Sequence, residues 1–94
     1  MIKKTETFSK WLRKLSDRRA KALIVARIER VGSGLMGDVQ SVGDGISELR
    51  IHYGPGYRLY FCRRGEEIII LLCGGDKSTQ QADIERAKKI AQEV

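Results

Sequence analysis

The run Ile68-Ile69-Ile70-Leu71-Leu72 constrains this chain more than any other stretch. It is apolar at consecutive positions, so a strand built from it presents hydrophobic side chains on both faces and belongs in the middle of a sheet rather than at an edge. With Cys73 it is also the longest apolar run, far short of the roughly 18–20 residues of a membrane span. The chain must therefore supply strands that flank this one. Residues 38–43 read as a weak strand and residues 46–52 as a better one, in which Ser47, Leu49 and Ile51 alternate with Glu48, Arg50 and His52. Tyr57 to Arg63 is the next strand, and Glu66 to Cys73 the central one. Arg64-Gly65 between them suits a two-residue turn with Gly at φ > 0.

Before Gly37 the period is helical. Phe8, Trp11, Leu12 and Leu15 stand at i, i+3, i+4, i+7 behind Thr5, a plausible N-cap, and Trp11 on that stripe reads as a core residue. Ser16 is the expected cap of a second helix, with Asp17 in its first turn. Its inward stripe is Ala20, Leu23, Ile24, Ile28 and Val31, and Gly32-Ser33-Gly34 ends it. After the strands, Ser78 with Gln81 makes a capping box for a helix to about Glu93, with Ile84, Ala87, Ile90, Ala91 and Val94 inward. The order predicts one α+β domain over residues 1–94: an N-terminal helical hairpin, a mainly antiparallel four-stranded twisted sheet with the helices on one face, and a C-terminal helix.

Charge is placed unevenly on this frame. Residues 1–30 hold ten Lys/Arg against three Asp/Glu, whereas residues 31–94 hold eight against nine. The excess falls on the hairpin, where it forms either a solvated surface or a field that attracts polyanions or an acidic protein. Met1-Ile2-Lys3-Lys4 is followed by Thr5-Glu6 rather than an apolar stretch, which does not read as a signal peptide. A cytoplasmic protein is expected, with Cys62 and Cys73 as reduced thiols.

Strand parity narrows where chemistry could lie. If Leu49, Ile51, Leu59 and Phe61 face the helices, then Glu48, Arg50 and His52 share the other face with Arg58, Tyr60 and Cys62. Both hold only if directly paired residues sum to an even number, which requires an odd-length loop at Tyr53-Gly54-Pro55-Gly56-Tyr57. The tight turn at Arg64-Gly65 would set Arg58 opposite Leu71 and Tyr60 opposite Ile69, placing an apolar floor under the cations and keeping the cysteines apart. Gly74-Gly75-Asp76-Lys77-Ser78-Thr79 lacks the spacing of a Walker loop and reads first as a strand-to-helix turn. No grouping of His, Cys and carboxylates has metal-ligand spacing, and neither a metal nor a small-molecule cofactor is expected.

Leu49-Arg50-Ile51, then Gly56-Tyr57-Arg58-Leu59-Tyr60-Phe61, then Leu71 to Gln80 resemble the RelE/ParE toxin superfamily, and most nearly its HigB-like, phage-related addiction module killer branch. The likeness extends to the hairpin with Phe8 and Trp11 and to Ile84, Ala87 and Lys88 of the last helix. It implies the toxin of a type II toxin–antitoxin system, whose partner in this branch is usually a helix-turn-helix antitoxin. Many such toxins enter the ribosome and cut mRNA; others inhibit DNA gyrase without cutting, and a member can bind its antitoxin yet lack toxicity. By motif position Arg58 falls on the family's Tyr-Arg arginine, Arg50 on the preceding strand arginine, and Lys77 on the basic residue after the strand-end glycine. In RNA cleavage the 2′-hydroxyl attacks the adjacent phosphate, and these cations would stabilise the charge that develops. Many ribonuclease members carry a Tyr or His in the C-terminal segment for proton transfer. Ser78 to Val94 holds neither, leaving His52 and Tyr60, with Tyr57 in the loop, as the candidates. Neither Arg50 nor Arg58 is expected in the core. Ribosomal RNA contact is expected of the basic hairpin.

Overall fold

A computed structural model describes residues 1–94. The central strand forms as its sequence requires, but later than expected: Ile68–Asp76 is β5, the fifth of five strands. The others are β1 (Ile2–Lys4), β2 (Val39–Gly43), β3 (Ile46–Ile51) and β4 (Tyr57–Arg64), in the sheet order β1-β5-β4-β3-β2. All neighbours are antiparallel except β1, which runs parallel to β5 with Ile2 opposite Ile69. The expected four-stranded sheet therefore gains a three-residue edge strand. Three residues carry no visible period, so only the pairing reveals it.

Thr5 caps helix α1 (Glu6–Lys14): its Oγ accepts from Phe8 N at 3.1 Å and donates to Leu72 O at 2.6 Å. Helix α2 (Arg18–Gly32) is capped by Asp17 rather than by the expected Ser16. Asp17 Oδ1 reaches the free N–H groups of Arg19 and Ala20 at 3.0 and 3.1 Å, which places the aspartate at the N-cap instead of in the first turn. Helix α3 (Gln80–Glu93) follows a 3-10 turn at Lys77–Thr79. The capping box there joins Asp76 and Thr79, not Ser78 and Gln81, because the strand runs on to Asp76 and the turn begins at Lys77.

The expected parity holds between β3 and β4. Leu49 lies opposite Leu59 and Arg50 opposite Arg58, across a loop of residues 52–56. Between β4 and β5 the register differs, because the turn is Gly65–Glu67 rather than Arg64-Gly65 and a β-bulge follows. Leu72 is the extra residue of that bulge; Tyr60 then faces Cys73 and Arg58 faces Gly75, in place of Ile69 and Leu71. The Leu72 carbonyl freed by the bulge is the one that the Thr5 hydroxyl satisfies.

The helices do not share one face. Phe8, Ala20, Ile24, Ile28 and Val31 of the hairpin close over Leu49, Ile51, Leu59, Phe61, Ile69 and Leu71. Ala87 of α3 closes over Ile46, Tyr60, Cys62, Ile70, Leu72 and Cys73 on the opposite face, with Ile84, Ile90 and Ala91 alongside. β5 is apolar on both faces because both faces are covered. Val94, expected inward, is half exposed beyond the end of α3. Cys62 and Cys73 are free thiols buried in the α3-side cluster, and no helix is long and apolar enough to cross a membrane.

Candidate anion-binding site

Because α3 covers only part of its face, the ends of β3 and β4 near the 52–56 loop stay open. Arg50, His52, Arg58 and Lys77 line one hollow there of about 540 Å³, together with Tyr53, Gly54, Pro55 and Gly56. Four of the five residues expected at the site thus meet in one place. Gly56, at φ +79°, lets the loop lie against the Lys77 stem: a Cβ there would stand 3.4 Å from Lys77 Cβ. Tyr53 fixes the loop from the other side by donating its hydroxyl to Asp17 Oδ2 at 3.1 Å, with the Arg19 guanidinium 5.8 Å over its ring. The cap of α2 is therefore also the anchor of the site loop. Hydrogen bonds from the Ala20 and Arg19 N–H groups and from Tyr53, against some desolvation, hold the Asp17 carboxyl below its usual range.

Beneath the arginines lies no apolar floor but a fully buried glutamate, Glu48. Its Oε1 accepts from Arg50 Nε at 3.1 Å and Arg58 Nη1 at 3.3 Å, and its Oε2 from Tyr60 Oη at 3.0 Å and Gln80 Nε2 at 2.8 Å. Burial pushes the carboxyl up. Gln80, Arg50, Tyr60 and the Arg58 charge outweigh it and hold Glu48 below the usual carboxylate range. The two guanidiniums thus point the same way from adjacent strands, fixed by one shared counter-ion. Arg50 is also held by Gln40 of the neighbouring strand.

Two expectations change here. Tyr60, expected on an open face, is fully buried under α3, and burial followed by its bond to Glu48 pushes its hydroxyl well above the usual tyrosine range. Arg58, expected outside the core, retains only 12% side-chain exposure. Its Nε is buried without a hydrogen-bond partner, a donor left uncompensated in the free protein. Arg50, at 32%, is more open.

His52 is exposed, and its Nε2 stands 2.6 Å from Asp38 Oδ2. Asp38 is brought there by a main-chain bond from Arg50 N to its carbonyl at 3.0 Å. The bond from His52, against slight desolvation, holds the Asp38 carboxyl below its usual range. Sequence reasoning missed Asp38, Glu48 and Gln80. For Glu48 a signal existed, since parity already placed it on the face of Arg50, Arg58 and Tyr60; its burial depends on α3, which parity cannot locate.

The hollow does not use the start of α3 as a phosphate cradle. Gly74 is occupied from one side by the Trp11 ring, and Gly75 from the other by the Asp83 carboxylate, each where a Cβ would otherwise sit. Asp83, buried in the first turn, accepts from Thr79 Oγ at 2.5 Å and pairs with Arg86 at 3.2 Å. No grouping of three or more His, Cys, Asp or Glu side chains could hold a metal ion.

Comparison with known proteins agrees with this frame. The profile of phage-derived Gp49-like proteins matches residues 10–94. An uncharacterized protein of Haemophilus influenzae is 57% identical over 93 residues, covering 99% of this chain and 94% of its own length. Among solved structures, an arginine-to-alanine double mutant of the Escherichia coli toxin RelE in the free state superposes with a TM-score of 0.69. It covers 96% of both chains at 20% identity, a likeness of fold.

Proposed function

From a chain that belongs to the phage-derived Gp49-like family and has the RelE-like fold, we propose the toxin of a toxin–antitoxin pair, acting as a ribosome-dependent mRNA endonuclease. The observation that carries this reading is the convergence of Arg50, Arg58, Lys77 and His52 on one open hollow over a buried counter-ion. Arg50, Arg58 and Lys77 meet the phosphate between two nucleotides. The 2′-hydroxyl oxygen bonds to its phosphorus as the bond to the 5′-oxygen of the next nucleotide breaks, leaving a 2′,3′-cyclic phosphate and a 5′-hydroxyl that takes its proton from water. The charge growing on the phosphate oxygens is met by the guanidinium and ammonium groups. His52 takes the hydroxyl proton when neutral. Asp38 holds Nε2, which leaves Nδ1 as the accepting nitrogen. Tyr60 acts through Glu48 as a positioning residue and does not touch substrate.

The partners in this reading are the translating ribosome with its mRNA and a helix-turn-helix antitoxin that neutralises the chain in the cytoplasm. The competing reading, a gyrase inhibitor that cuts nothing, draws on the pairing of both arginines with Glu48 in the free protein. One experiment separates them. On expression of the chain without its antitoxin, mapped mRNA 5′ ends show new cuts within translated codons, and Arg58→Ala abolishes them by at least about 100-fold, the order of one lost transition-state donor. Intact messages accompanied by a DNA-damage response would end the nuclease reading.

A further inference from the structure

A second cationic hollow lies beside the end of β5. Thr7, Lys10, Trp11 and Lys14 of α1 and Arg86 of α3 line an open space of about 300 Å³, with three cations and no carboxylate in its wall. Lys10 and Lys14 are exposed, stand one helical turn apart, and make neither an ion pair nor a hydrogen bond. Like charges at that spacing oppose each other; Lys14 suits the last turn of α1, whereas Lys10 has no partner in the fold. Arg86 is aimed by Asp83 Oδ1 at 3.2 Å and by the Gly74 carbonyl at 3.5 Å. The Trp11 ring is fixed against Gly74 and edge-on to Tyr57, 6.2 Å between centroids.

The two hollows are neighbours in the chain. Arg86 touches Gly74, Gly75 lies opposite Arg58, and Lys77 lines the first hollow. Residues 74 and 77 are at most about 10 Å apart along an extended backbone. We infer that the Lys10–Lys14–Arg86 hollow is a second phosphate subsite, gripping the backbone of a single-stranded RNA a few nucleotides from the phosphate held at Arg50 and Arg58. The identity of the ligand rests on the RNA reading given above. A polyanion with charge repeated along one strand fits two cationic hollows joined through residues 74–77, one of them with an aromatic ring in its wall, better than an acidic protein surface does.

Trp11 is the only tryptophan and lines this hollow. The probe is a 2′-O-methyl RNA of about ten nucleotides, which lacks the attacking hydroxyl. Its binding should change Trp11 fluorescence saturably. Lys10→Gln with Lys14→Gln should weaken that binding about tenfold at moderate salt and reduce the slope of log K against log salt by about 1.4, the share of two strand phosphates. Both side chains are exposed, and circular dichroism checks that the fold is kept. Wild-type affinity in the double variant overturns the inference; so does displacement of the RNA by polyglutamate at equal charge, which assigns the hollow to an acidic protein. Cleavage is read separately. A wild-type chain that cuts no message while its Trp11 titration still depends on Lys10 and Lys14 ends the nuclease reading and leaves the subsite standing.

Discussion

A carboxylate with no solvent exposure, as at Glu48, survives only if its lone pairs are filled, and four donors fill them. Glu48→Ala removes the counter-ion from two arginines that are themselves largely covered, and should cost about 3 kcal/mol or more in urea unfolding at neutral pH. Tyr60→Phe removes one donor of the four and should cost about 1 kcal/mol, with cleavage retained. A Tyr60→Phe variant that keeps its stability and loses all cleavage would make the hydroxyl chemical after all. The sign of the pH dependence follows from the same carboxylate. Its folded pKa is depressed, so its contribution is present in full above the unfolded value, near 4.3, and is lost as pH falls through the folded one. Asp17 and Asp38 shift in the same direction and add to the acid loss. Denaturant titrations at pH 7 and below pH 4 should show the decline, and Glu48→Gln should flatten it while lowering stability at pH 7. An unchanged slope in that variant would remove Glu48 as its source.

At the scale of elements, close approach of backbone governs the end of β5. Gly74 admits the Trp11 ring from α1 and Gly75 admits Asp83 from α3, so the strand end is clamped from both faces of the sheet. Gly74→Ala should destabilise by about 1–3 kcal/mol through overpacking, read by thermal unfolding, with a shifted Trp11 emission as the local sign. What was legible in advance follows from period. The α1 and α2 stripes and the β3–β4 parity are repeated over enough residues to be read, and they brought Arg50, His52 and Arg58 together correctly. The Gly65–Glu67 turn, the Leu72 bulge and the three-residue β1 are each set by a single pairing choice that leaves no period behind. The side taken by α3 was hidden for the same reason, since a strand apolar on both faces cannot say which helix covers which. That hidden choice is what buries Tyr60 and Glu48 and brings Gln80 to them.

For the whole molecule, charge sets stability and binding against each other. The net charge of +6 is carried by an excess over residues 1–30, much of it exposed on β1, α1 and α2. Four of these residues have partners in the fold: Arg27 donates to the carbonyls of Arg50 and Met36 at 2.8 and 3.2 Å, Lys21 to that of Arg13 at 3.0 Å, Arg13 pairs with Glu6 at 3.3 Å, and Arg19 lies over the Tyr53 ring. The remainder repel one another over distances comparable to the roughly 8 Å screening length of physiological salt. Added salt should therefore raise stability, by an increment on the order of 0.5–1 kcal/mol between low and moderate ionic strength, since exposed charges contribute little each. The same salt should release RNA. If Lys10, Lys14, Arg50, Arg58 and Lys77 each neutralise a strand phosphate, log K falls against log salt with a slope of about −3.5. Pairing to Glu48 makes that an upper bound, because Arg50 and Arg58 already have a counter-ion. Unfolding and RNA binding followed across one salt series test the point together. Curves that move in the same direction would show that the hairpin charges do not form the repulsive, RNA-attracting field that both effects require.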